Sequence, residues 1–99
     1  MSSSAFEELE EKYLEIVKLM PERFDSHTFI LALAQRYQRL YVHALNEYAN
    51  NNKPFVTVHH VIAKRLKKRE DLVKHIGYVT SKNIFGYDSK AAVWEKVIK

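Results

Sequence analysis

The 99-residue chain has no cysteine, two glycines (Gly77, Gly86) and two prolines (Pro21, Pro54). Without cysteine there are no disulfides, no thiolate metal sites and no thiol nucleophile, and a cytoplasmic setting is the simplest expectation. So little glycine and proline excludes collagen-like, linker-rich and loop-rich folds. The longest uncharged apolar run, Phe29 to Ala34, is far too short to span a membrane. No signal-peptide core follows Met1. What is present, 46% hydrophobic and 28% charged residues, is the balance of one small soluble domain over residues 1–99.

The net charge of +4 hides an asymmetry. Met1 to Asn52 carries five Lys/Arg against eight Asp/Glu, whereas Lys53 to Lys99 carries eleven against four. The acids concentrate in Glu7, Glu8, Glu10, Glu11 and Glu15, and the bases in Lys64, Arg65, Lys67, Lys68 and Arg69. Such a bipolar chain attracts an anionic partner to its basic half, neutralises itself, or joins copies head to tail.

Helical periodicity dominates the first half. Ser4-Ala5-Phe6-Glu7 has the form of a capping box, and Phe6, Leu9, Tyr13, Ile16 and Met20 recur at steps of three and four. An acidic helix is therefore expected over residues 5–19, ended by Pro21, with the three serines at the start, Ser2 to Ser4, as a frayed tip. Asp25 or Ser26 caps a longer helix over 26–48, whose stripe runs from Ile30 through Leu33, Tyr37 and Tyr41 to Tyr48. Its tyrosines share a face with leucine and alanine, so the expectation for them is core rather than a base-stacking row.

The basic half is less regular. Phe55 to Val58 reads as a brief strand, or Thr57 caps a third helix with Val58, Val61, Ile62 and Leu66 inward. Glu70 to Ile76 reads as a short fourth helix ended by Gly77, and Tyr78 to Thr80 as a strand. Ala91 to Ile98 fits either period, with Trp94 expected in the core both ways. The fold class that follows is α+β, mainly α, with a short C-terminal β element. Its element order is that of a winged helix with an extra N-terminal helix, the wing lying at Ser81 to Lys90. Against that order, Glu70 and Asp71 would repel phosphate at the recognition helix, and Ile84 and Phe85 are apolar for a wing.

Chemical motifs are few. The five histidines (His27, His43, His59, His60, His75) have no ligand spacing, so no metal and no cofactor is expected. Neither a nucleophile elbow nor a phosphate-cradling glycine loop occurs, so the expected protein is not an enzyme. The strongest signal is K-R-L-K-K-R at Lys64 to Arg69. On a helix it brings His60, Lys64, Lys67 and Lys68 to an outer face, with Arg69 at its end, as a nucleic-acid contact for DNA or RNA. The alternative is a protein-interaction or regulatory module using the acidic first helix or the apolar Ile84-Phe85 loop.

Overall fold

The computed structural model describes residues 4–98, so Met1, Ser2, Ser3 and Lys99, and with them most of the expected frayed tip, lie outside it. Five helices precede two long strands: α1 (Ala5–Glu10), α2 (Tyr13–Leu19), α3 (Ser26–Arg36), α4 (Gln38–Asn46) and α5 (Pro54–Lys67). A short strand β1 (Arg23–Asp25) lies between α2 and α3, and β2 (Val73–Lys82) and β3 (Asp88–Lys96) complete the chain. The strands form one antiparallel sheet in the order β1-β3-β2. Among the described residues, no helix is long and apolar enough to cross a membrane.

The expected acidic helix starts where its cap predicts, with the Ser4 hydroxyl accepting from the Glu7 N–H at 3.2 Å. It breaks at Glu11-Lys12, which lets Tyr13, Ile16 and Val17 turn fully into the core. Burial pushes the Tyr13 phenol far above its ordinary pKa, so its hydroxyl stays protonated and donates to the Ile62 carbonyl at 2.8 Å. That bond ties α2 to α5. The long helix also breaks, at Tyr37, whose φ of −125° and ψ of 57° leave the helical region. Glu15 holds this kink by accepting from both the Arg36 guanidinium and the Tyr37 hydroxyl. Tyr37, Tyr41 and Tyr48 are partly buried against the core, as their apolar neighbours imply.

At α3 the choice of cap is settled by a division of labour. Asp25 accepts from the Thr28 N–H at 2.8 Å, leaving the buried Ser26 hydroxyl to accept from the Trp94 indole N–H at 2.9 Å. Phe55 to Val58 is helical rather than a strand, and α5 starts before Thr57. Pro54 takes the first helical position, where its missing N–H costs nothing, and Val58, Ile62 and Leu66 bury one face.

The mainly-α, winged-helix expectation is overturned, because helix occupies 49% and strand 23% in a balanced α+β domain. Glu70 to Ile76 forms no recognition helix. Arg69 and Asp71 close a turn, with the Leu72 and Val73 N–H groups both donating to the Arg69 carbonyl, and β2 begins at once. The β element is not short either, since β2 and β3 pair from Val73↔Lys96 to Lys82↔Asp88 as a long hairpin. Its turn, Asn83 to Tyr87, replaces the wing and uses Gly86 at φ +86°, a conformation that favours glycine. The Ala91 to Ile98 ambiguity resolves as strand, and Trp94 is 2% exposed.

Two outcomes follow from the burial of Trp94. Its emission should be blue-shifted and shielded from iodide, and Trp94→Ala should destabilise by about 3–5 kcal/mol in urea unfolding. A red, freely quenched emission in the folded protein would contradict this packing.

Candidate nucleic-acid interface

The outer flank of α5 and the β2–β3 hairpin face each other across a groove. One half, of about 450 Å³, is lined by His60, Lys64 and Lys67 from the helix and by His75, Tyr78 and Trp94 from the sheet. The other half, of about 520 Å³, reaches α3 and is lined by His27, His59, His60, Tyr78 and Lys90. Val56, His60, Ala63, Tyr78 and Ala92 border both halves, which makes them one continuous groove with Tyr78 at its middle.

The expected site residues separate here. His60, Lys64 and Lys67 come together because positions i, i+4 and i+7 share a helical flank. Lys68, exposed at the C-cap of α5, is outside the groove lining. Arg69 turns away altogether. It grips Asp71 through two hydrogen bonds of 3.0 and 2.9 Å and lies 3.7 Å from Glu10. Arg65 also leaves the flank, donating to Glu10 at 3.1 Å. Arginine takes the carboxylates because its planar fork fits them, and the lysines stay in solvent.

Four of the five histidines line the groove, a convergence that the sequence spacing did not reveal. His59 is held neutral, its pKa lowered to about 4 by burial and then by nearby His27 and His60. Burial pushes the Tyr41 phenol up to about 12, so its hydroxyl stays protonated, and it shares a hydrogen bond of 2.7 Å with His59 Nε2. The rings of Phe55, from the first turn of α5, and Phe85, from the hairpin turn, pack on His59. His27 Nδ1 shares a hydrogen bond of 2.8 Å with the Ser81 hydroxyl, tying α3 to β2. Burial raises the nearby Asp25 carboxyl, but hydrogen bonds from Thr28 and Ser81 outweigh it and hold the group below its ordinary value.

The sequence reading missed Lys90, His75 and Tyr78 as site residues. Lys90 stands opposite Thr80 and Tyr78 opposite Ala92, so the hairpin register brings the Lys90 ammonium 4.7 Å from the Tyr78 ring centre. Alternation along β3 was the available signal, and it is legible only once that segment is a strand. Among the described residues, no group of three or more His, Asp or Glu is arranged to hold a metal ion. What the groove offers chemically is cationic and aromatic. Three lysines and four histidines line it, and no carboxylate does among the described residues. Compared with protein-family models, curated proteins and solved structures, the chain matches none of them.

The neutral His59 has a measurable consequence. Its folded pKa lies below its unfolded value near 6.5, so its contribution to stability is full above pH 6.5 and falls as pH drops toward 4. Melting temperature should decline across that window, and His59→Gln, which has no proton to gain there, should decline less steeply. Identical pH profiles for the two proteins would remove His59 as the cause.

Proposed function

We propose that this domain is a non-enzymatic nucleic-acid-binding module that holds the phosphate backbone along the groove between α5 and the hairpin. The observation that carries the reading is the charge of that groove, which Lys64, Lys67 and Lys90 line with four histidines and, among the described residues, no carboxylate; Glu70 adjoins only its Lys67–His75 end. Phosphates gain from each ammonium group by releasing counterions, and such contacts carry little sequence information, so binding is nonspecific or weakly specific. Lys68 adds to the field from the helix end, whereas Arg69 acts indirectly by occupying Asp71 and Glu10. The cysteine-free composition fits a cytoplasmic setting for this activity.

A protein partner for the acidic helix is the weaker reading. Glu10 and Glu15 are engaged by Arg65, Arg69, Arg36 and Tyr37 within the chain, which leaves Glu7, Glu8 and Glu11 on the surface.

Fluorescence anisotropy with a labelled oligonucleotide tests the proposal. With three lysines engaged, log K should fall against log salt with a slope of about −2 on a single strand or about −2.7 on a duplex. The double variant Lys64→Gln, Lys67→Gln should weaken binding and flatten the single-strand slope by about 1.4, with the fold intact because both side chains are exposed. Replacing Glu7, Glu8 and Glu11 by glutamine should leave affinity unchanged or slightly raised. Undetectable binding at about 50 mM salt and micromolar protein, or a slope indifferent to the lysine changes, would sink the proposal.

A further inference from the structure

We infer that the groove takes single-stranded rather than duplex nucleic acid, with an unpaired base stacked on Tyr78; this rests on the nucleic-acid reading above. The first reason is shape. A helix that reads duplex DNA must enter a major groove about 12 Å wide, which requires its reading face to be convex and free. The cationic flank of α5 is instead one wall of a groove whose opposite wall is Tyr78, His75 and Ala92. The hairpin stands where a duplex would have to be, while one strand fits along the groove. From Val56 to Lys67 that flank is about 16 Å long, enough for a few nucleotides.

The second reason is Tyr78 itself. A tyrosine in a sheet that faces a helix is ordinarily buried, yet this ring is 60% exposed at the middle of the groove. Lys90 sits over one face of the ring and His75 meets it in an edge-type contact at 4.9 Å, so neighbours orient the ring while most of the residue stays exposed. Ala63 and Ala92, which border both halves, add nothing beyond a methyl group and keep space open beside the ring. A flat base with a phosphate on either side matches this order of features, an aromatic platform between lysines. Every base has a π-face, so such a platform binds single strands with little sequence preference. Paired bases in a duplex are stacked on each other and offer Tyr78 no face.

The test compares a labelled oligothymidine of about eight nucleotides, within the usual site size of such platforms, with a blunt duplex of matched charge. The native protein should bind the single strand more tightly at equal salt. Tyr78→Ala and Tyr78→Leu should each weaken single-strand binding by roughly 5- to 150-fold, the range of one base stacked on an aromatic ring. Tyr78→Phe, which keeps the ring, should bind as the native protein does, and none of the three should alter the salt slope. Circular-dichroism melts establish that each variant is folded, and Tyr78→Leu keeps apolar bulk where Tyr78→Ala does not. Equal affinity for duplex and single strand overturns the inference. So does single-strand binding that both folded variants leave unchanged. If Lys64→Gln with Lys67→Gln still weakens binding in those cases, the nucleic-acid function stands and only the stacked base is lost. If neither set of variants changes binding, both readings fall together.

Discussion

The hydrogen bond from the Trp94 indole N–H to the Ser26 hydroxyl fixes the geometry on which the groove depends. Trp94 lies on the central strand, paired with Phe24 of β1 on one side and His75 of β2 on the other. One side chain thus links all three strands to the first turn of α3. Both partners are buried, so water cannot replace either group, and an unmade bond at this depth costs about 1–3 kcal/mol. The bond from Tyr13 to the Ile62 carbonyl does the corresponding work for α5. With the sheet anchored to α3 and α5 anchored to α2, the space between α5 and the hairpin has two fixed walls.

The bipolar sequence resolves into a sorting of charge. Arg65 and Arg69 converge on Glu10, joining the basic helix to the acidic one, and Arg36 meets Glu15 across the kink. Exposed and partly exposed pairs of this kind contribute little to stability. Their larger effect is positional. They hold Glu10 on the far side of α5 from the hairpin, while on the groove side the Lys90 ammonium lies over the ring of Tyr78. Self-neutralising ion pairs and a flank of exposed lysines, alternatives when only the charge map is read, coexist on opposite sides of one helix.

Local signals in the sequence were sound where one residue decides an element. Ser4 and Asp25 cap the helices they announce, and Trp94 is buried under either reading of its segment. The largest failure belongs to β2. Leu72, Val73 and Ile76 satisfy helical spacing by coincidence, and an irregularity between His75 and Gly77 interrupts the alternation that marks a strand. Gly77 then mimicked a helix end while serving the irregular strand. The three residues of β1 are too few to carry a period, since they are a strand only by pairing with Arg23↔Glu95 and its neighbours. The same logic divides the candidate site. The α5 wall is set by spacing along one helix and was legible. Tyr78, Lys90 and His75 reach it through hairpin register, which no local window contains.

The central claim is that the α5–hairpin groove, and not the acidic helix, is the nucleic-acid surface. Titrating isotope-labelled protein with a short oligonucleotide while following backbone amide resonances addresses it directly. The account predicts salt-sensitive shifts clustered at His60, Ala63, Lys64, Lys67, Tyr78, Lys90 and Ala92, with Glu7, Glu8 and Glu11 undisturbed. Shifts centred on α1, or none at concentrations where the oligonucleotide is in excess, would contradict it.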